Sequence, residues 1–185
     1  MTTSEVSLAE ALEVYFDRYP READEFEALK PVFALGDRLF DRLCLPYHWT
    51  ASAWIVEPTR QQGLLLFHRK LERWIQSGGH ADGDTDLPAV ALREAREETG
   101  LASLLLDSRA IFDFDVTPIP ERGGVPAHYH LDARYLLWAE RSEPIVESSE
   151  SVGARWFDLS TLAAEGNDAG VRRMAVKTMN LPGRS

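Results

Sequence analysis

The sequence predicts an α/β fold: a mixed sheet covered by helices and preceded by a helical extension. Three observations predict it. Apolar residues recur at steps of three and four as far as Leu43, the pattern shifts to short β-rich runs from Thr50, and helical and strand-like segments then alternate toward the C-terminus.

From Ser7 to Tyr19, Leu8, Ala11, Leu12, Tyr15 and Phe16 fall on one helical stripe, with Ser7 and Glu10 spaced as a capping box. A second stripe runs through Phe26, Leu29, Phe33, Gly36, Phe40 and Leu43; Pro31 removes a backbone donor inside it and predicts a kink or a split there. Residues 1–45 are therefore read as a helical extension and 46–185 as the main domain. Ala51 to Val56 and Leu64 to His68 form a strand pair around the turn Pro58 to Gly63, and Trp74 to Gln76 a further short strand expected to stop at Gly78-Gly79. Ala89 to Thr99 is a helix of good helix formers closed by Gly100 and apolar Leu101. Strands follow at Arg109 to Val116 and His128 to Ala139, separated by a proline- and glycine-rich loop, Thr117 to Ala127. A short strand at Arg155 to Phe157 leads into helix from Ser160 to Met179.

The 185 residues suit one domain with a core, and 44% apolar with 27% charged residues is ordinary globular composition. Thirty acidic against twenty basic residues give a net charge of -10, which disfavours a nucleic-acid polymer as partner. A small polyphosphate remains compatible, because a divalent ion held by carboxylates inverts the local field. Cys44 is the single cysteine, so no intrachain disulfide can form, and the apolar runs are too short to span a bilayer. These features point to the cytoplasm and away from a membrane.

The chemistry-bearing stretch runs from Gly78 to Leu101. Glu94, Glu97 and Glu98 stand at i, i+3 and i+4, so three carboxylates share one helix face and would repel without a counterion. Oxygen-only ligands suit a hard cation, Mg²⁺ with Mn²⁺ as the alternative. A plain solvated acidic face is the competing reading of any Glu-rich helix. Here the helix follows a glycine-rich turn that itself carries Asp82, Asp84 and Asp86.

This stretch resembles the Nudix box: Gly, five residues, Glu, seven residues, then Arg-Glu-U-x-Glu-Glu-x-Gly-U, with U bulky and aliphatic. Gly79, Arg93, Glu94, Glu97, Glu98, Gly100 and Leu101 match in register; Ala95 replaces a bulky aliphatic and Thr85 occupies the upstream Glu position, flanked by Asp84 and Asp86. Pro88 also departs, harmlessly if it lies in the first helical turn.

The resemblance implies an α/β/α sandwich and hydrolysis of a nucleoside diphosphate linked to another moiety, by attack of metal-activated water on phosphorus. It implies Glu94 and Glu98 as metal ligands, Glu97 as a ligand directly or through water, the Gly78 carbonyl as a further ligand, and Arg93 as the group that orients the glutamates. The catalytic base in relatives is a box glutamate or one on a later loop, here Glu147 or Glu150. Two other readings belong to the same superfamily. One is isomerisation of isopentenyl diphosphate, which uses a cysteine where this chain has Gly78; the other is a catalytically silent ligand sensor, for which eroded box glutamates would be expected.

His80 is a candidate substrate contact, against the plainer reading that it orders its loop. Glu121 and Arg122 are candidates for substrate selection because they stand at the centre of the Thr117 to Ala127 loop. His128, His130 and Asp132 share a strand face, read as an ordinary polar sheet face in preference to a site wall. His48 and His68 lack a spaced partner and read as structural, while Trp74, Phe112, Tyr135 and Trp138 read as core rather than as base-stacking groups. The expected partner is a small nucleotide or other diphosphate, and the N-terminal extension is left three roles: capping the sheet, forming a homodimer interface or shaping the pocket.

Overall fold

Ser7 caps the first helix as its spacing predicts: its hydroxyl accepts from the Glu10 amide while Glu10 accepts from the Ser7 amide. The computed structural model describes residues 7–69, 71–146, 151–166 and 168–182. Helix α1 spans Leu8–Arg18 and α2 spans Ala23–Phe33. Pro31 sits inside α2 without ending it; the chain turns instead at Gly36, whose φ of 58° favours glycine, and continues as a 3₁₀ segment, Gly36–Phe40. The expected break at proline is thus displaced to the glycine, because Pro31 falls in the last turn of a helix that had little further to run.

The sheet strands are β1 (Tyr47–Val56), β2 (Gln62–His68), β3 (Arg73–Ile75), β4 (Ser77–His80), β5 (Leu105–Leu106), β6 (Asp113–Ile119), β7 (His128–Trp138) and β8 (Ser151–Asp158). They form one mixed sheet in which β1 and β7 run parallel at its centre, registered Tyr47↔Tyr129 through Val56↔Trp138. One edge of β1 is shared: β4 pairs antiparallel with its first half and β2 with its last residues. β7 is shared in the same way between β6 and β5. The strand expected to stop before the glycines instead resumes through them, because Gly78 and Gly79 pair with Ser52 and Ala51. β6 likewise runs on through Thr117 to Ile119, residues read as loop, with Pro118 on the strand's exposed side.

Alternation along β1 sorts its residues onto two faces. Trp49, Ala51, Ala53 and Ile55 join a core with Leu12, Tyr15, Phe16, Leu39, Phe40, and with Val90, Ala91 and Ala95 of helix α3 (Leu87–Thr99). Trp54 and Val56 face the opposite core, built with Leu136, Trp138, and with α4 (Leu159–Glu165) and α5 (Ala169–Met179). Helices on both faces of a mixed sheet make the expected sandwich. The N-terminal extension is part of its core: Tyr15 Oη donates to Glu22, accepts from Lys177 Nζ at 2.7 Å and accepts from the Phe114 amide at 3.1 Å. Among the described residues no helix is long and apolar enough to cross a membrane.

Candidate active site

Helix α3 is set by its ends. Asp86 Oδ1 accepts from the Ala89 amide, Pro88 occupies the first turn where its missing donor costs nothing, and Gly100 closes the helix at φ 69°. Burying Leu87, Val90, Ala91 and Ala95 aims the opposite stripe, Arg93, Glu94, Glu97 and Glu98, away from the core. Fully buried Ala95 stands where the box pattern has a bulky aliphatic residue.

The two glycines of β4 receive this stripe. The Gly78 amide donates to Glu98 Oε2 at 3.0 Å. A Cβ on Gly79 would overlap the carboxyl carbon and both oxygens of Glu94, and one on Gly78 would overlap Ser52 Oγ. Arg93 Nη1 pairs with Glu94 at 2.7 Å and lies 3.6 Å from Glu97. Three of the expected site residues, Glu94, Glu98 and Gly78, therefore meet in one place; Glu97 is exposed and lies 3.6 Å from Arg93, which pairs with Glu94. The groups that meet here are the Glu94 and Glu98 carboxylates, and the glycine cradle that seats them has no room for side chains. Both features fit a hard divalent cation.

Each aspartate of the turn already has work. Asp82 forms a two-point ion pair with Arg42, Asp84 accepts from the Asp86 amide at 2.9 Å, and Asp86 caps α3 while pairing with Arg109 at 2.8 Å. The Arg42 pair and a Gly83 amide bond to the Phe40 carbonyl tie the N-terminal extension to the box turn. The later loop is tied to the other end of α3: Val146 donates to the Thr99 carbonyl, and Glu143 accepts from the Ala102 and Ser103 amides. Glu147 and Glu150, the loop glutamates named from sequence, lie outside the described residues. Glu121 and Arg122 are exposed at the tip of the β6–β7 hairpin, beyond the Ile119↔His128 pair. Nothing in their described contacts joins them to the carboxylates.

The parallel pairing of β1 with β7 creates something local sequence patterns do not show. His48, read as structural, stands beside His130, and their rings meet those of His80 and His128. Below them on the same face, buried Asp132 accepts from Thr50, Ser52 and Arg134. Burial pushes His48 down to about 4 and His130 down to about 3, reinforced by the neighbouring histidines, so both rings are neutral near pH 7. His80 is also lowered, by burial and then by Arg42. Neither ring nitrogen of His48 reaches hydrogen-bond geometry, although the Cys44 backbone lies close enough to pull weakly in the opposite direction.

Residues 46–177 match the model of the NUDIX domain family. No curated protein sequence matches the chain. Solved structures of similar fold include a NUDIX-family hydrolase from Clostridium perfringens, 21% identical over 72% of this chain and 96% of its own, with a TM-score of 0.57. An Ap4A hydrolase from C. elegans is 18% identical over 71% of this chain and 94% of its own, TM-score 0.56. The dihydroneopterin triphosphate pyrophosphohydrolase of E. coli is 18% identical over 72% and 96%, TM-score 0.56.

Proposed function

Because the chain belongs to the NUDIX domain family of pyrophosphohydrolases, we propose that it hydrolyses the diphosphate linkage of a small nucleoside diphosphate derivative with Mg²⁺ as its working ion. The observation that carries this reading is the seating of Glu94 and Glu98, from one helix face, on the Gly78-Gly79 strand. Glu94, Glu98 and the Gly78 carbonyl are the residues that would hold the ion, with Glu97 contributing through water. When bound, the ion supplies an activated water and charge neutralisation at phosphate oxygens.

The chain's own residues supply position. Arg93 ties the Glu94 carboxylate to one orientation, and the Gly78 amide fixes a Glu98 oxygen. Proton acceptance falls to a box glutamate or to Glu147 or Glu150. Substrate recognition is assigned to His80, beside Gly79 in the box turn, with Glu121 and Arg122 at the hairpin tip. The neighbouring structures named for Ap4A and dihydroneopterin triphosphate support a small nucleotide-like anhydride as the substrate class.

The test is product release from a panel of nucleoside triphosphates, dinucleoside polyphosphates and nucleoside diphosphate sugars, with Mg²⁺, with Mn²⁺ and with chelator. Metal-dependent turnover of at least one member, lost by about 10²-fold or more in Glu98→Gln, is expected. Full activity in that variant would remove Glu98 from the metal site, and tight binding of one compound without turnover of any would favour a sensor.

A further inference from the structure

We infer that His48, His128 and His130 form a second metal site, for a zinc-class transition ion, with the His80 ring packed beside it, separate from the box carboxylates. The four rings come from three strands: His48 from β1, His80 from β4, and His128 and His130 from β7. Ligand atoms of His48, His128 and His130 all lie within 4.8 Å of one another. The ring centroids are 5.2 Å apart for His48–His80, 5.0 Å for His48–His128, 4.9 Å for His48–His130, 4.9 Å for His80–His130 and 5.2 Å for His128–His130. Imidazoles bound tetrahedrally to zinc, with Zn–N of about 2.0–2.1 Å, place their centroids about 5 Å apart. The rings of His48, His128 and His130 already hold that spacing.

The hydrogen bonding is what a ligand set needs. His128 Nδ1 lies 2.8 Å from the Pro126 carbonyl oxygen; donating to it fixes the tautomer whose Nε2 carries a free lone pair, the outer-sphere arrangement usual for metal-bound histidine. Among the described residues, His130 Nε2 is buried without a hydrogen-bond partner, and neither nitrogen of His48, 2% exposed, reaches hydrogen-bond geometry. Buried imidazole nitrogens left unpaired cost free energy, and several meeting at one point are better explained by a shared ion than by packing. Asp132, next along this face of β7, is occupied by Thr50, Ser52 and Arg134, so the ring set stays all-nitrogen. Nitrogen-only donors select zinc-class ions over Mg²⁺, which separates this site chemically from the carboxylates of α3. An ion here would also pin β1 against β7 beside β4, which carries Gly78 and Gly79.

The site is tested on the full chain without a polyhistidine tag, in buffer containing Mg²⁺. Equilibrium dialysis against Zn²⁺ should load one ion per chain, Co²⁺ should give the visible absorption of a tetrahedral nitrogen site, and Zn²⁺ should raise the thermal midpoint. Glu98→Gln should keep all three signals. His130→Ala should weaken Zn²⁺ binding by more than the roughly 10–100-fold that losing an outer-sphere partner costs. If that variant fails to fold, histidine ¹⁵N shifts of the wild-type chain decide: Zn²⁺ must move the resonances of His48, His128 and His130 together. Absence of Zn²⁺ and Co²⁺ binding by the wild type, loss of the signals in Glu98→Gln, or shifts confined to other histidines would overturn the site. None of these readings uses catalysis, so failure of the proposed hydrolase activity leaves them intact.

Discussion

Gly79 and the Glu94 carboxyl group lie so close that a Cβ on residue 79 would overlap the Glu94 carboxyl carbon and both its oxygens. Residue 79 is not in the left-handed region, so alanine is conformationally acceptable there and the cost falls on Glu94. Gly79→Ala should therefore leave secondary structure intact and lower turnover by about 10²-fold, the effect expected of a displaced catalytic carboxylate. Circular dichroism beside product release checks this; wild-type activity in the variant would show that Glu94 can leave the glycine without consequence.

Tyr15 gives a measure of how firmly the N-terminal extension is joined to the sheet. Its hydroxyl serves Glu22, Lys177 and the Phe114 amide at once. Tyr15→Phe keeps the ring and removes all three bonds, leaving a buried amide unsatisfied, so a loss of roughly 1–3 kcal/mol is expected in urea denaturation. Hydrogen exchange at the Phe114 amide should accelerate in parallel. An unchanged urea midpoint would mean that water replaces the hydroxyl.

The parts of this architecture that were legible in the sequence are those coded locally. Ser7 and Glu10 announce a cap, Gly100 a helix end, and the spacing of Arg93, Glu94, Glu97 and Glu98 a carboxylate face. What stayed hidden depends on pairing between distant strands. His48 looks solitary because its neighbours are His130, across a parallel pair, and His80, on an antiparallel one; neither register is written in the flanking residues. The same reason hid β4: the glycines look like a strand end, yet their lack of side chains is what lets Glu94 and Glu98 close over a continuing strand. The buried cluster of Arg134 with Asp113 and Asp115 was equally invisible, since alternating charges on a strand read as solvent-facing until the covering helix is known.

Gly170, in the first turn of α5, packs directly on the Arg134 guanidinium, which a Cβ there would overlap. Helix propensity favours alanine over glycine by about 1 kcal/mol. Against it stand about 1–3 kcal/mol for overpacking and a larger penalty if a buried ion pair opens. Arg134 is 4% exposed and held by Asp132 at 2.7 Å, Asp113 at 3.0 Å and Asp115 at 3.1 Å, so it has nowhere to move. Gly170→Ala should therefore lower the thermal midpoint. A rise would show that propensity wins and that α5 can shift outward.

Asp113, fully buried on β6, is the anion on which this cluster turns. It pairs with Arg134 from β7, with Arg173 through Nε and Nη2 at 2.7 Å each, and with Lys177 at 2.8 Å, while Asp115, Glu22 and Tyr15 complete the surrounding groups. Burial alone would raise its pKa, but the Arg173 hydrogen bonds and the charges of Arg134, Arg173 and Lys177 outweigh it and hold the carboxyl below the ordinary aspartate value. A depressed folded-state pKa contributes stability that is complete above the unfolded value of about 3.9 and is lost as pH falls through the folded one. Asp113→Asn removes the one carboxylate that all three cations share, leaving Arg134 with Asp132 and Asp115, Arg173 with Asp115, and Lys177 with Glu22. The expected loss is on the order of 3 kcal/mol, at the lower end for buried pairs because Arg173 keeps access to water. The gap between wild type and variant should hold steady above about pH 5 and narrow below about pH 4. Denaturant midpoints across that range test it: a gap that does not change with pH would show that packing, not the Asp113 charge, holds the cluster together.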